Sequence, residues 1–278
     1  MSDSKKTPGR DLFPMTGKIV LVSGSSRGIG QSIAQEFLNR GAVVYITGLD
    51  PDLLSSVVLK LHGSYADHVR SYAGDLTRTE IIHDLVNTII EREGHLDIVV
   101  ANIGSGRTKA GWDIEDSAWV GCMERNFFAA VRLSRECLKV MIPKRKGIIL
   151  FISSIAGCEV IQAPPPYAAA KAALLTYMKY TAHLVGADGI RINAISPGNV
   201  LFQGGTWGKK LSESPEAVMK YINENVPLKK FACPDDIAGL ACFLASDDAS
   251  FITGANFIID GGQKKCVSGS LVTYGIGT

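Results

Sequence analysis

A tyrosine and a lysine four residues apart are the first candidates for chemistry in this chain. Tyr167 and Lys171 fall at the start of a helix-length segment, 167–186, where positions i and i+4 share a face. A phenol has an unperturbed pKa of about 10, and a neighbouring ammonium group lowers that pKa toward neutral pH. The pair predicts a general acid/base that gives a proton to a carbonyl or takes one from an alcohol. Taken alone, such a pair more often only packs a helix.

A serine upstream extends this candidate site. Ser154 follows the strand-like run GIILFIS at 147–153 and lies thirteen residues before Tyr167. The adjacent Ser153 ends that run. A serine at this position would also serve simply to cap the end of the strand.

A glycine-rich turn comes directly after the first apolar run, KIVLVS. It reads Ser23-Gly24-Ser25-Ser26-Arg27-Gly28-Ile29-Gly30 and leads into the amphipathic segment QSIAQEFLNRG. Glycines let the backbone approach a ligand closely, and a helix N-terminus offers unpaired N–H groups and partial positive charge to a pyrophosphate. Strand, turn and helix in this order favour dinucleotide binding, although a glycine trio alone is usually only a turn.

Short apolar runs alternate with helix-length segments along the chain. The runs lack the polar alternation of half-exposed strands, which is typical of strands covered on both faces in a parallel sheet. The order predicts an α/β fold, a single-domain doubly wound parallel sheet (Rossmann) of about seven strands flanked by helices. The predicted strands are 18–23, 42–47, 69–73, 97–101, 147–153, 190–196 and 256–260, and the predicted helices are 28–39, 51–61, 77–92, 113–142, 167–186 and 234–245.

The chain length fits one domain. With 278 residues, 46% of them hydrophobic, the chain has enough apolar material for one large core. We expect a polar N-terminal tail at 1–15, the Rossmann domain at 16–262 and a C-terminal tail at 263–278. Within the domain, residues 199–230 form a long insertion after the sixth strand, of the kind that often forms a lid over a substrate.

The composition argues against several kinds of partner. A formal net charge of +2 is too small to indicate a nucleic-acid or membrane-surface partner. The N-terminal residues lack the apolar stretch of a secretory signal and no run approaches a membrane span, so we expect a cytoplasmic protein. No two cysteines lie within four residues of each other, so we expect free thiols and no metal site. The cysteines are Cys122, Cys137, Cys158, Cys233, Cys242 and Cys266.

The glycine turn belongs to an ordered series of short motifs. Gly24, Gly28 and Gly30 have the spacing TGxxxGxG, with Ser23 in place of the threonine. On these residues the chain resembles the short-chain dehydrogenase/reductase family, in particular its 3-oxoacyl-carrier-protein reductases and its sugar and alcohol dehydrogenases. The resemblance covers about residues 16–262. The downstream motifs are Asp75-Leu76, Ala101-Asn102-Ile103-Gly104, Asn126, Ser154, Tyr167-Ala168-Ala169-Ala170-Lys171, Asn193 and Pro197-Gly198.

The resemblance implies an NAD(P)(H)-dependent oxidoreductase that moves a hydride between nicotinamide and a carbonyl or secondary alcohol, as a homotetramer or homodimer and without a metal. In the family, Tyr167 would be the general acid/base and Lys171 would also hold the nicotinamide ribose. Ser154 matches the family's catalytic serine, for which Ser153 is one place early, and its hydroxyl would hydrogen-bond the reacting oxygen and orient it. Asn126 would hold a water that links Lys171 to solvent. The implied catalytic residues are Asn126, Ser154, Tyr167 and Lys171, and the implied cofactor-binding residues are Gly24, Ser26, Arg27, Gly28, Ile29, Gly30, Asp75, Leu76, Asn102, Tyr167, Lys171, Pro197, Gly198 and Val200.

The residues that choose between the two dinucleotides favour NADP(H), with NAD(H) as the alternative. Asp50 lies about 20 residues beyond the glycines, but the family's acidic residue ends the second strand, where this chain has Gly48. Asp50 before Pro51 instead predicts a helix N-cap. Arg27 matches the basic residue of NADP-preferring members, whereas the arginine often found after the second strand is Leu49 here.

Two departures limit what the resemblance implies. The family commonly reads Asn-Asn-Ala-Gly where this chain has Ala-Asn-Ile-Gly at 101–104, and Phe202 takes the place of a threonine that holds the nicotinamide carboxamide. That group would then rest on backbone groups near Val200 or on Thr206. The departures leave a second interpretation open, a dinucleotide-binding sensor or scaffold that has lost turnover, against which the intact catalytic set counts.

Substrate contacts are expected from three loops, 103–112, 158–166 and 199–225. Their basic residues would suit an anionic or phosphorylated substrate, although exposed loop lysines more often only aid solubility. A hydroxysteroid, a sugar, an acyl thioester and a polyol all stay open as substrates. The basic residues in question are Arg107, Lys109, Lys209 and Lys210.

Overall fold

Seven parallel strands form one sheet in the computed structural model, which describes residues 13–65 and 67–264. The strands are β1 (Ile19–Val22), β2 (Val43–Gly48), β3 (Val69–Ala73), β4 (Ile98–Ala101), β5 (Gly147–Ile152), β6 (Ile190–Pro197) and β7 (Asn256–Ile259). They lie side by side in the order β3-β2-β1-β4-β5-β6-β7. This confirms the doubly wound parallel sheet that the sequence predicts.

Helices cover both faces of the sheet. They are α1 (Gly28–Asn39), α2 (Pro51–Tyr65), α3 (Thr79–Glu93), α4 (Asp116–Met123), α5 (Ala129–Met141), α6 (Pro165–Val185), α7 (Thr206–Glu213), α8 (Pro215–Asn225) and α9 (Pro234–Leu244). Buried apolar residues of α1, α2 and α9 pack on one face, and those of α3, α5 and α6 pack on the other. The two resulting clusters form the core.

The predicted helices are present, with two differences. The segment predicted as one helix, 113–142, contains a π-helical turn at Glu124–Phe128 between α4 and α5. The insertion at 199–230 contains α7 and α8, which the sequence analysis did not predict. Ser214-Pro215-Glu216 carries a recognisable helix start, because proline is preorganised at the first helical position and an acid favours the first turn.

The site is positioned by the strand order. β1 lies between β2 and β4. Strands β2 and β3 are added on one side of β1, and strands β4 to β7 are added on the other side, so the strand order reverses at β1. All four residues of β1 are buried, and Val20 pairs with Val44 on one side and Ile98 on the other. In sheets of this kind ligands bind at the carboxyl edge where the strand order reverses. The loops after β1, β4, β5 and β6 meet at that edge.

The described residues at the two ends pack against the domain. Met15 is buried in the core, and the ring of Phe13 meets that of Phe243 edge-on at 5.5 Å between centroids. At the other end Gln263 is buried. The remainder of the predicted tails, 1–12 and 265–278, lies outside the described residues. Within 13–65 and 67–264, no helix is both long enough and apolar enough to cross a membrane.

Candidate active site

Tyr167 and Lys171 lie in the first two turns of α6, as the spacing predicts. The helix begins after Pro164, with Pro165 at its first position, where a missing N–H costs nothing. Lys171 is 3% exposed, and its Nζ donates a hydrogen bond of 2.9 Å to the carbonyl of Ile152 at the end of β5. Nζ also lies 5.8 Å from the centroid of the Tyr167 ring.

Ser154 reaches the same phenol from β5. Ser154 lies two residues after the end of β5, and its hydroxyl hydrogen-bonds the side chain of Tyr167. The same hydroxyl accepts a hydrogen bond of 3.1 Å from the N–H of Ala156. Ser153 is turned inward, and its hydroxyl donates to the main-chain carbonyl of Lys171 at 3.2 Å. The structure therefore brings Ser154, Tyr167 and Lys171 together and gives Ser153 a structural bond between β5 and α6.

The titration of this pair differs from the sequence expectation. Burial raises the pKa of Tyr167 above its ordinary value, the hydrogen bond from Ser154 opposes that shift, and the nearby Cys122 adds to it. Burial also lowers the pKa of Lys171 to about 8. The expected lowering of the phenol pKa is therefore wrong for this structure, because the loss of water around the phenolate is the largest cause and raises the pKa. The phenol is protonated at neutral pH.

Asn126 is buried inside the π-helical turn and holds the loop that follows β4. Its Oδ1 accepts from the N–H of Ser105 at 2.8 Å, and its Nδ2 donates to the carbonyls of Ser105 and Cys122 at 3.1 and 3.0 Å. A Cβ at Gly104 would lie 2.7 Å from Oδ1 of Asn126 and 3.1 Å from Nζ of Lys171. The side chains of Asn126 and Lys171 thus face one small space beside Gly104.

The glycine-rich loop fits a dinucleotide phosphate. Gly24 and Gly28 have φ of 60° and 57°, which only glycine adopts without strain. A Cβ at Gly30 would lie 2.5 Å from Nδ2 of Asn102 and 2.6 Å from the carbonyl of Gly24, so the closely packed loop requires glycine there. Arg27, the residue before α1, gives no side-chain bond to the first turn, which also holds no acid. The N–H groups of that turn are a site for an anion.

Asn102 joins the glycine loop to β4. Its Nδ2 donates to the carbonyls of Ser23 and Gly24 at 3.1 and 3.0 Å, and its N–H donates to the hydroxyl of Ser23 at 2.9 Å. That hydroxyl in turn donates to the carbonyl of Val100. Asn102 therefore holds the loop in shape through its side chain and through its main chain.

The remaining implied cofactor-binding residues lie at the carboxyl edge of the sheet, and their side chains differ in how far they are buried. The carboxylate of Asp75 accepts from the N–H and hydroxyl of Thr77, while Leu76 buries its side chain in the core. Pro197 ends β6, and the N–H of Gly198 donates to the carbonyl of Ile259 at 2.8 Å. Val200 is buried and pairs with Ala232 across the base of the insertion.

Phe202 packs on the phosphate loop itself. A Cβ at Gly28 would lie 2.5 Å from the Phe202 ring, and a Cβ at Gly205 would lie 2.8 Å from the same ring. The ring is therefore sandwiched between two glycines, and it offers no hydrogen bond to a carboxamide. The sequence identified the missing threonine but not this contact, because a residue's partner across the cleft is not a property of local spacing.

The residues considered for cofactor choice have distinct surroundings. Oδ1 of Asp50 accepts from the N–H groups of Asp52 and Leu53 at 3.0 Å each, which confirms the predicted N-cap of α2. Arg27 lines a cavity of about 550 Å³ beside the glycine loop, and Lys60 of α2 lines it too. Lys60 is a second cation at this cavity that the sequence analysis missed, because it lies far along α2.

Comparison with known proteins identifies the family. The chain matches the family model described as enoyl-(acyl carrier protein) reductase over residues 24–264. It is 34% identical to a 3-oxoacyl-[acyl-carrier-protein] reductase of Haemophilus influenzae over 248 residues, covering 89% of this chain and 98% of the relative. It is 33% identical to the isoepoxydon dehydrogenase patN of Aspergillus clavatus, covering 89% and 95%.

A solved structure has the same fold. The L-sorbose reductase of Gluconobacter frateurii, solved with NADPH and L-sorbose, superposes with a TM-score of 0.85 at 30% identity and covers 92% of this chain and 99% of its own. The chain belongs to the short-chain dehydrogenase/reductase family. It is an NAD(P)-dependent oxidoreductase.

Replacing Lys171 by methionine tests the cost of its buried charge. At pH 7 the native protein keeps an ammonium group out of water, so Lys171→Met should raise the free energy of unfolding by on the order of 1 kcal/mol. Because the native pKa is lowered, the unfolded chain binds more protons between pH 8 and 10.5. The difference between variant and wild type should therefore shrink as the pH rises through that window.

Urea unfolding at pH 7 and at pH 9.5 measures both effects. Lys179→Met, at an exposed position of the same helix, is the control and should change stability little. A Lys171→Met protein that is no more stable than wild type at pH 7 would contradict the prediction.

Proposed function

We propose that this oxidoreductase reduces a carbonyl to a secondary alcohol, and runs the reverse reaction, with Tyr167 as the general acid/base. The observation that carries the proposal is the placement of the Tyr167 phenol, hydrogen-bonded to Ser154 and with Nζ of Lys171 5.8 Å from its ring centroid. A neutral phenol is the form that donates a proton, which suits the reductive direction.

The chain's own residues account for the proton and the orientation. When bound, the reduced nicotinamide would supply a hydride, which is a hydrogen nucleus with two electrons, to the carbonyl carbon. The hydroxyl groups of Ser154 and Tyr167 hold the carbonyl oxygen, and Tyr167 donates its proton to that oxygen as the alcohol forms. The phenolate then regains a proton from solvent, for which Lys171 and Asn126 offer a route beside Gly104.

NADP(H) is the proposed cofactor, with NAD(H) as the weaker alternative. Arg27 and Lys60 place two cations at the cavity beside the glycine loop, where a ribose 2′-phosphate would gain charge-assisted hydrogen bonds. The acid that would repel this phosphate is absent from the end of β2, which is Gly48. The similar L-sorbose reductase was solved with NADPH.

Arg27→Ala tests this preference, and each enzyme serves as its own control through the second dinucleotide. Loss of a charge-assisted bond should weaken NADPH binding by about tenfold to a hundredfold and leave NADH binding nearly unchanged. Calorimetric titration of wild type and variant with both dinucleotides measures the effect. Equal losses for NADPH and NADH would contradict a contact to the 2′-phosphate.

A dinucleotide-binding sensor without turnover is the alternative function. The Phe202 ring on Gly28 favours it, because the ring narrows the phosphate cradle and replaces a carboxamide ligand. The joined Ser154, Tyr167 and Lys171 side chains favour turnover. A protein that binds NADPH but reduces no carbonyl in a broad panel would establish the alternative.

Tyr167→Phe tests the catalytic assignment. Loss of the phenolic proton should lower kcat by about 10²–10⁴-fold while NADPH binding is kept, because the substitution removes one hydroxyl and leaves the fold intact. Absorbance of the nicotinamide reports the rate, and Tyr180→Phe, an exposed tyrosine on the same helix, is the control. Full activity of Tyr167→Phe would refute the role.

We further propose that the protein is a cytoplasmic homotetramer. Four large apolar side chains are exposed on the packed helices α4 and α6 and the π-helical turn between α4 and α5: Val120, Phe128, Tyr180 and Leu184. Exposed apolar residues on adjoining helices indicate an interface, and closed symmetric oligomers are the common outcome.

Leu184→Glu should dissociate the proposed homotetramer into smaller assemblies. A carboxylate in an apolar interface is costly, so sedimentation should show a smaller species than wild type at the same concentration. The control is Leu59→Glu, because Leu59 is equally exposed (75% against 73%) but lies on α2. An unchanged sedimentation coefficient for Leu184→Glu would place the interface elsewhere.

A further inference from the structure

The basic residues around the candidate substrate cleft are not equivalent in the structure. All four lysines on these loops have a side-chain partner for the ammonium group. The partners are Glu115 for Lys109, Glu213 for Lys209 at 3.7 Å, Glu224 for Lys220 at 3.8 Å, and the Trp207 ring for Lys210 at 4.8 Å. Among residues 13–65 and 67–264, no carboxylate lies within ion-pair distance of Arg107. Within these described loops, Arg107 is thus the basic residue with neither a carboxylate nor an aromatic ring as partner.

Arg107 lies next to the catalytic tyrosine along the chain. The loop after β4 runs over the catalytic pair, and a Cβ at Gly106 would lie 4.0 Å from Cζ of Tyr167. Two residues earlier, Gly104 lies beside Nζ of Lys171. Since consecutive Cα atoms are about 3.8 Å apart, the main chain of Arg107 is adjacent to the phenol.

The backbone of Arg107 is held in place by the Asn126 network. Asn126 bonds both the N–H and the carbonyl of Ser105, and the Ser105 hydroxyl accepts from the N–H of Arg107 at 3.2 Å. A side chain carried by a fixed backbone loses less conformational freedom when it binds a ligand.

The guanidinium group spans the cleft. Nη2 of Arg107 donates a bond of 2.8 Å to the carbonyl of Gly204, at the base of the lid. A guanidinium has five N–H donors, so this bond leaves donors for an anion. Arg27 approaches Gly204 from the glycine loop, and a Cβ at Gly204 would lie 3.9 Å from its Nη1. Both guanidinium groups therefore lie near Gly204, and Arg107 reaches that point from the loop whose main chain passes the Tyr167 phenol.

We propose that Arg107 is the anchor for a carboxylate on the substrate, so that the enzyme acts on keto acids and the corresponding hydroxy acids. The inference rests on the proposed function, because the carbonyl oxygen must lie at Ser154 and Tyr167. A guanidinium group without a carboxylate partner in the protein can bind one substrate carboxylate through two parallel hydrogen bonds. The carboxylate replaces the Gly204 carbonyl or shares the guanidinium with it.

Matched acid and ester pairs test the anchor, because they differ in charge at a constant carbonyl. The probes are acetoacetate with ethyl acetoacetate and levulinate with ethyl levulinate, assayed with NADPH. Wild type should prefer each acid. Arg107→Gln keeps a side-chain N–H donor but removes the charge, and it should lower kcat/KM for the acids by about tenfold to a hundredfold, mainly through KM. The esters should change by less than about twofold.

Two further variants separate charge from structure. Arg107→Lys keeps the charge and should retain part of the acid preference. Lys109→Ala, two residues along the same loop, removes a cation that already has a carboxylate partner and should leave the preference intact. Added salt should reduce kcat/KM for the acids in wild type more than in Arg107→Gln, because salt screens the interaction.

The outcomes distinguish this inference from the proposed function. Equal losses for acid and ester in Arg107→Gln would show that Arg107 only ties the loop to the lid, and would overturn the anchor. A wild type that prefers the esters would overturn it as well. Failure of wild type to reduce either member of both pairs would overturn the anchor and, if a broader carbonyl panel also fails, the reductase itself.

Discussion

The site depends on one hydrogen bond, from the buried ammonium of Lys171 to the carbonyl of Ile152. The bond ties α6 to the end of β5, and these two elements carry Tyr167 and Ser154. Burying an amine is unfavourable, and the pKa of Lys171 records this by falling to about 8. The protein thus keeps a destabilising charge where it holds the Tyr167 phenol beside Ser154, which is typical of functional sites.

A second constraint comes from the loop after β4. The π-helical turn holds Asn126 facing this loop. Its side chain accepts one hydrogen bond from Ser105 and donates two, to the carbonyls of Ser105 and Cys122. Gly104 can approach Lys171 and Asn126 only because it lacks a Cβ. The same loop carries the keto-acid anchor that we propose, so cofactor chemistry and substrate choice would share one support.

The sequence predicted the sheet well because buried parallel strands leave a strong local signal. The run at 147–153 became β5 at Gly147–Ile152, and the helix at 28–39 was predicted to the residue. The two helices of the insertion were missed, because α7 is short and contains Gly208, and because α8 lies inside a segment interpreted only as an insertion. The π-helical turn within 113–142 was missed because it changes hydrogen bonding without interrupting the apolar pattern.

Residue types and spacing by themselves determined the α/β class, the glycine loop and the pairing of Tyr167 with Lys171, because these follow from helix and strand periodicity. Ser154 joined that pair through the family resemblance. Tertiary structure alone decided the direction of the Tyr167 pKa, since burial depends on everything packed around the phenol. It also decided which of the loop cations already have a carboxylate partner. Arg107 and Lys109 look alike in the sequence, and only the folded loops place Glu115 beside Lys109 and bring the main chain next to Arg107 close to Tyr167.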